Sequence, residues 1–208
     1  MRTRHIGVTP PRSAVPGIAA LALAGLLGAQ TPGDSARPPY RPGTSIGPFL
    51  AVVFSTLPDQ EGYGTRVDFS AGMQWDQSFS DAVFIRSGVF YTGRGGKGHD
   101  ADFTERYIEF PLLLGYRLPD DVRTRIFVMG GAQVGFLFGC KVNEDVRCSD
   151  YGSYQSLDYG VLGGGGVFLP MGQASLVLEL RAMQGLHELH WGKNRGVTLG
   201  GAYMLPLH

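Results

Sequence analysis

Apolar and polar residues alternate strictly from Gly64 to Trp75. Val67, Phe69 and the apolar residues after them take one parity, whereas Arg66, Asp68 and the polar residues after them take the other. A period of two places alternate side chains on opposite faces of a β-strand. The stretch therefore predicts a strand with one oily face and one polar face, and similar stretches continue to the C-terminus.

Clusters of turn-forming residues divide the rest of the chain into about eight such stretches. The predicted strands are Gly47–Ser55, Thr65–Asp76, Ala82–Thr92, Arg106–Leu118, Arg125–Cys140, Ser156–Leu169, Ala174–Met183 and Gly196–Leu207. No stretch beyond the N-terminal region approaches the ~20 consecutive apolar residues that a membrane helix requires. The pattern predicts an all-β domain in which consecutive strands run antiparallel.

The connections between the predicted strands alternate in length. The short ones are Gln77–Asp81, Pro119–Thr124 and Pro170–Gln173, and the long polar ones are Thr56–Gly64, Gly93–Glu105, Lys141–Gln155 and Gln184–Arg195. An even number of strands with short turns at one end and longer loops at the other is the layout of bacterial outer-membrane barrels. The sequence therefore predicts an eight-stranded antiparallel up-and-down transmembrane β-barrel.

Aromatic residues on the apolar face lie near the predicted strand ends. They are Trp75, Tyr91, Tyr116, Phe138, Tyr159 and Tyr203. Amphipathic rings concentrate at headgroup depth in a bilayer, so two aromatic belts around an aliphatic band favour an apolar face in lipid. The alternative is a soluble lipocalin-like binder, in which the same apolar face lines the interior.

The N-terminal residues have the pattern of an export signal. Arg2, Arg4 and Arg12 precede a run of small and apolar residues from Ala14 to Leu27. That order is typical of a secretory signal peptide, and an uncleaved membrane anchor is the alternative. We therefore expect a signal peptide over residues 1–29, a disordered lead over residues 30–44 and the barrel domain over residues 45–208.

Length and net charge indicate one domain and argue against a nucleic-acid partner. The 208 residues are 43% hydrophobic and carry a formal net charge of 0. This length suits one domain, and the charge balance supplies no basic surface for nucleic acid. We expect no nucleic-acid partner and, for an exported barrel, contact with outer-membrane lipid.

Charged residues on the polar face predict a network inside the barrel. An eight-stranded barrel is narrow enough for side chains to fill, so inward charges must pair. A hairpin centred near Lys97 would place Arg86 about opposite Glu109, and the next tight turn would bring Gln133 beside Glu109. We expect a structural plug rather than a proton or solute relay, and no conducting pore. The predicted network is Asp68, Arg86, Glu109, Gln133, Glu179 and Arg181.

Two cysteines, Cys140 and Cys148, bracket a short segment of the longest predicted loop. In an exported protein such a pair predicts a disulfide, which would contribute about 2–3 kcal/mol by chain entropy. Metal ligation by these two residues is the weaker alternative, because no histidine lies beside them.

The loops carry no recognisable catalytic signature. His187, Glu188 and His190 include ligand types for a divalent metal, but their spacing in a loop fixes no geometry. The glycine-rich Gly93–Gly98 lacks the Lys-Ser/Thr ending of a phosphate-binding loop, and the sequence contains no Gly-x-Ser-x-Gly. We therefore predict no catalytic residues, no metal site and no cofactor.

Two stretches resemble the PorT-like family of small outer-membrane β-barrels. Residues Ser87–Lys97 match its Tyr-containing, glycine-rich hairpin, and residues Tyr107–Tyr116 match its Tyr-hydrophobic-Glu-hydrophobic-Pro-Leu-Leu-Leu strand. Lys193–Gly200 looks like the closing strand. The resemblance implies a barrel in the outer membrane of a diderm bacterium, with Pro111 facing inward and Glu109 in the plug. Members usually end on an aromatic residue, whereas this chain ends on His208.

The namesake members of that family assist a secretion system, while most members have no assigned activity. We expect a non-enzymatic envelope scaffold that interacts through its surface loops, and the resemblance implies an envelope or secretion protein as its partner. The alternative is an outer-membrane lipid-modifying enzyme with an active site at the loop end, which would need serine, histidine and acidic residues there.

Overall fold

The computed structural model describes residues 43–56, 64–97, 102–119, 124–143, 146–147, 156–186 and 193–207. The expected signal peptide and nearly all of the expected lead lie outside these ranges. The first strand begins at Gly43, slightly before the expected domain start at residue 45. The described residues contain no helix that is long and apolar enough to cross a membrane.

The strands are long and regular. They are β1 Gly43–Thr56, β2 Gly64–Ser78, β3 Val83–Lys97, β4 Asp102–Arg117, β5 Arg125–Val142, β6 Val146–Arg147, β7 Leu157–Met171, β8 Ala174–Gly185 and β9 Arg195–Leu207. The two-residue β6 pairs only with the end of β5. The other eight strands form the wall of the molecule.

The wall closes on itself as an antiparallel barrel. Each long strand pairs with its neighbours in sequence, and β1 pairs with β9, so the ring runs β1, β2, β3, β4, β5, β7, β8, β9. Closure removes the unpaired edges that an open sheet would present. The predicted eight-stranded antiparallel up-and-down barrel is confirmed.

One predicted loop is wrong. The glycine-rich residues of Gly93–Glu105 continue β3 and β4, which pair as far as Lys97 and Asp102. At Gly95, φ is 143° and an added Cβ would lie 2.0 Å from the Phe103 carbonyl oxygen, so only glycine fits this close approach. The Ser55 hydroxyl binds both the carbonyl and the amide of Gly95. Glycine here permits tight packing rather than marking a loop.

The apolar face points outward. Leu112 is 61% exposed and Val128 is 50% exposed, whereas Arg86 is 0% exposed and Glu179 is 2% exposed. A soluble barrel would reverse this arrangement, because water would face the charges and the oily side chains would fill the core. The lipocalin-like alternative is therefore wrong, and the outward face suits a hydrocarbon solvent.

The outward aromatic residues lie toward the two ends of the wall. Trp75, Tyr116 and Tyr203 lie toward the short turns, and Phe138 and Tyr159 lie toward the loops, all at least 44% exposed. Aliphatic side chains such as Leu112 occupy the band between them. This order matches the two headgroup regions and the hydrocarbon core of a bilayer.

An aromatic core fills the interior toward the short turns. Phe84, Phe127 and Phe168 pack with ring centroids 4.8–5.7 Å apart. The Phe84 ring occupies the space over Gly115, where an added Cβ would lie 2.1 Å from its Cζ atom. Phe49 and Phe90 form a second contact, edge to face, at 5.0 Å. These rings fill the part of the interior that lies toward the short turns.

A charge on the lipid-facing side tests this orientation. We expect Leu112→Arg, in the middle of β4, to lower the free energy of unfolding by about 2–4 kcal/mol, because it places a cation near the bilayer centre. Leu118→Arg, just after the same strand, is the matched control and should cost at most about 1 kcal/mol. Urea unfolding in phospholipid vesicles, followed by tryptophan fluorescence, measures both. Equal losses at the two positions would contradict a membrane-spanning wall.

Candidate functional site

Arg86 is the centre of a fully buried ion cluster. It extends from β3, where its Nε atom donates to Asp76 Oδ1 at 2.8 Å and its Nη2 atom donates to Asp76 Oδ2 at 2.6 Å. Its Nη1 atom donates to Glu179 Oε2. The two-point contact with Asp76 uses the fork of the guanidinium group, which is the strongest geometry for this pair. Arg86 is thus held from two directions.

The contact between Arg86 and Glu179 crosses the barrel. Arg86 lies on β3 and Glu179 on β8, and these strands are four positions apart in the ring of eight. A contact between opposite strands has to pass through the lumen. The cluster therefore links opposite strands through the lumen, and we call such a cross-lumen contact a tie.

Arg181 completes the cluster. It pairs with Glu179 and donates from Nη2 to Gln74 Oε1 at 2.8 Å. The paired charges of Asp76, Arg86, Glu179 and Arg181 sum to zero when all are ionised. Buried charges persist only when they are paired in this way. We call these four residues and Gln74 the turn-end network.

Aromatic rings surround the guanidinium groups of this network. The Arg86 guanidinium carbon lies 4.8 Å from the centroid of Phe127 and 5.2 Å from that of Phe84. Arg181 lies 4.9 Å from the Phe49 centroid. Arginine over an aromatic face gains cation–π attraction in addition to its ion pairs. The aromatic core and the charges therefore stabilise each other.

A second network lies nearer the loops and centres on Glu109. This carboxylate accepts from Thr92 Oγ1 at 2.8 Å and from Gln133 Nε2 at 3.2 Å, and it pairs with Arg94. Arg94 Nη1 also lies 3.6 Å from Asp158 Oδ2. The Arg94 guanidinium thus joins carboxylates from β4 and β7.

Glu105 and Asn194 form another tie across the barrel. Glu105 Oε2 accepts from Tyr107 OH at 3.0 Å and from Asn194 Nδ2 at 3.1 Å. Asn194 directly precedes β9, which stands opposite β4 in the ring. It is 0% exposed, although it borders a long loop. We call the two clusters together the loop-end network: Thr92, Arg94, Glu105, Tyr107, Glu109, Gln133, Asp158 and Asn194.

The structure places the predicted interior residues in three groups. Glu179, Arg181 and Arg86 belong to the turn-end network, and Glu109 and Gln133 belong to the loop-end network. The predicted Asp68 belongs to neither. Its carboxylate pairs with Arg66 at 3.3 Å, and both side chains are partly exposed near the loop end of β2.

The expected register of the β3–β4 hairpin is wrong. Arg86 lies opposite Leu113, and Glu109 lies opposite Phe90. Both strands continue through the glycine-rich segment, so the hairpin is centred further along the chain than Lys97. The shift gives Glu109 a different partner, Arg94. Pro111 faces inward, as the resemblance implied.

Sequence reasoning missed several residues of both networks. The predicted strand Thr65–Asp76 ends on Asp76, whose parity matches that of Gln74 and Ser78 and is the sequence signal for an inward side chain. Arg94 and Glu105 lie inside the predicted loop Gly93–Glu105. Asn194 lies beyond the predicted strand boundary, and no local pattern marks it as buried.

Some predicted features fall outside the described residues. Cys148 lies there, so its disulfide with Cys140 stays a prediction, and His187, Glu188 and His190 lie there as well. Within the described ranges, no group of three or more histidine, cysteine, aspartate or glutamate side chains is arranged to hold a metal ion.

Comparison with known families identifies the fold class independently. The family described as "Outer membrane protein beta-barrel domain" matches residues 29–190. The chain belongs to this family. It is a bacterial outer-membrane β-barrel protein. The narrower PorT-like assignment stays a prediction.

Solved structures show the same fold. Neisserial surface protein A superposes with a TM-score of 0.57 at 12% identity, covering 79% of this chain and 97% of that protein. The outer membrane protein OprG from Pseudomonas aeruginosa superposes with a TM-score of 0.50 at 16% identity, covering 82% and 98%. Among curated proteins, no sequence matches this chain. At these identities the likeness is one of fold alone.

Removing the central cation tests the turn-end network. We expect Arg86→Met to lower the free energy of unfolding by about 3–5 kcal/mol, because Asp76 and Glu179 lose their shared buried partner. The matched control is Arg66→Met, which breaks a partly exposed pair and should cost at most about 1 kcal/mol. Urea unfolding in vesicles gives both values. A loss at Arg86 no larger than that at Arg66 would show that the buried cluster contributes little to stability.

Proposed function

We propose that this protein is a non-enzymatic scaffold of the outer membrane, which presents its surface loops to an envelope or secretion protein. The observation that carries the proposal is the pair of ties through the lumen, Arg86 to Glu179 and Glu105 to Asn194. The first connects opposite strands, and the second connects β4 to the residue that directly precedes the opposite strand β9, at a different height of the barrel. Such ties favour a rigid body over a transport pathway.

The side chains around these ties support the same role. Phe84, Phe127 and Phe168 occupy the turn-end half, and the loop-end half holds Arg94 and Tyr107 with their guanidinium carbon and ring centroid 5.5 Å apart. Small eight-stranded barrels have interiors just wide enough for side chains to fill. A solute would have to displace several paired charges in order to cross.

The loop-end network also supports a role for the loops. Asn194 stands between the last loop and β9, and its side chain binds Glu105 on the opposite wall. Its backbone carbonyl accepts a hydrogen bond from Gly185 N at 2.7 Å, so both ends of that loop are joined. A rigid base lowers the entropy lost when a loop binds a partner.

Enzymatic activity has less support. A lipid-modifying site at the loop end would need a nucleophile and a base within hydrogen-bond reach. The sequence candidates for a base, His187 and His190, lie outside the described residues. The buried histidine-free networks pair arginine with carboxylates, which is the arrangement of a structural plug.

Single-channel recording tests the plugged interior. We expect the full chain in planar lipid bilayers to give no conductance steps, because solutes would meet the Arg86 and Arg94 pairs in turn. A trimeric porin in the same bilayers serves as the positive control. Stable, reproducible conductance from the full chain would contradict the scaffold proposal and favour a transport role.

Site-specific photocrosslinking in intact cells tests the loops. We expect a photoreactive phenylalanine at Tyr63 or Trp191, which belong to two different loops predicted from the sequence, to yield an adduct of one shared mass. The matched control is Phe79, in the short turn at the opposite end of the barrel, which should not yield that adduct. The same adduct from Phe79, or none from the loop positions, would contradict a partner at the loop end.

A further inference from the structure

Two outward-facing cations lie side by side on the wall of the barrel near the loops. Arg106 on β4 is exposed between the buried Glu105 and Tyr107, and Lys141 on β5 is also exposed. Arg106 lies opposite Gly139, and Lys141 lies opposite Thr104. The two cations are therefore diagonal neighbours on one face of adjacent strands, within reach of a common ligand. We call Arg106 and Lys141 the basic patch.

The wall holds Arg106 close to its surface. An added Cβ on Gly139 would lie 3.6 Å from both Cβ and Cδ of Arg106, so the arginine stem runs over that glycine. A stem that packs along the wall leaves the guanidinium group at the surface. The glycine on β5 thus provides the space in which the Arg106 side chain lies.

Aromatic rings adjoin the basic patch on the bilayer side. Phe138 is 57% exposed and packs against Tyr91, with ring centroids 5.8 Å apart, and Tyr91 stacks on Phe69 at 5.3 Å. On the same strands, Phe110 and Phe136 meet edge to face at 6.0 Å. Tyrosine side chains concentrate at headgroup depth, and Arg106 lies two residues nearer the loops than Ile108, which is opposite Tyr91. The basic patch therefore lies at the height of lipid headgroups.

The charge of this sector is positive. Lys97 and Asp102 lie opposite each other at the end of the β3–β4 ladder and offset each other. Arg106 lies between Gly93 and Gly139, and Lys141 lies between Thr104 and Arg147, so no acidic residue stands directly opposite either cation. Asp102 is diagonal to Lys141 on the same face, but it has Lys97 directly opposite. Arg195, on the far side of the barrel, lies between Thr56 and Gln184 and has no cation opposite it.

We propose that the basic patch binds the phosphate-bearing headgroup of an outer-leaflet lipid, whose acyl chains lie along Phe138 and Phe136. The guanidinium of Arg106 can meet a phosphate with two parallel hydrogen bonds, and Lys141 adds a second point charge. Cations at a membrane surface attract anionic lipids, and the adjoining rings supply apolar contact for the chains. The occupant is a lipid and not a free anion, because the cations and the exposed rings form one continuous surface.

Lipid titration of the full chain tests the proposal. The protein is purified in an uncharged detergent and titrated with lipid A carrying two phosphates, and bound lipid is counted by native mass spectrometry. We expect the double variant Arg106→Gln/Lys141→Gln to bind about tenfold or more weakly than the parent. The matched control, Arg195→Gln, removes one exposed cation elsewhere at the loop end and should bind like the parent. A heat-modifiable gel shift checks that each variant is folded.

Two further arms identify the ligand chemistry. Lipid A without phosphates should bind the parent weakly, with the affinity that lipid A with two phosphates has for the double variant. Excess inorganic phosphate should not displace the bound lipid from the parent. Undiminished binding by the double variant, or equal binding of the dephosphorylated lipid, would overturn the proposal. Displacement by inorganic phosphate would show a free-anion site instead. None of these results depends on the loops having a protein partner.

Discussion

The interior of this barrel depends on the pairing of Arg86 with Asp76 and Glu179. Burial of one of these charges alone would cost several kcal/mol, and the pairing removes that cost only if β2, β3 and β8 hold their positions. The aromatic rings of Phe84 and Phe127 lie against the guanidinium group, 5.2 Å and 4.8 Å from its carbon atom. The network and the closed wall therefore depend on each other. Closure of the wall brings Arg86 and Glu179 close enough to pair, and their pairing links the opposite strands β3 and β8.

The two faces of the strands lie in different environments, hydrocarbon outside and paired polar side chains inside. Outside, Leu112 and Val128 face hydrocarbon, where an aliphatic side chain costs nothing and a charge is expensive. Inside, Glu109 and Arg94 find partners on other strands. The basic patch stands where these environments meet, because the headgroup region is the one part of the outer face that favours cations. The alternating pattern thus places polar side chains in the lumen, apolar side chains against the hydrocarbon and cations at the height of the headgroups.

The sequence identifies which side chains point into the barrel, but it does not identify which of them contact each other. Parity along each strand identifies Glu109 and Arg181 as inward, because successive residues face opposite sides. The partners depend on register, and a hairpin centre that moves along the chain gives Glu109 the partner Arg94 in place of Arg86. Asn194 was beyond prediction, since its burial arises from β9 standing opposite β4 and from nothing in its own neighbourhood.

The sequence by itself determined that the chain forms an antiparallel barrel with one oily and one polar face, because strand period and turn spacing are local and repeat along the chain. The aromatic positions favoured lipid outside, and the exposure of side chains such as Leu112 decided it. Only the tertiary structure decided which charges meet, where β3 ends and that Arg106 lies beside Lys141. Those outcomes depend on closure of the ring and on ladder register, which bring together residues far apart in sequence. Local patterns carry no information about such distances.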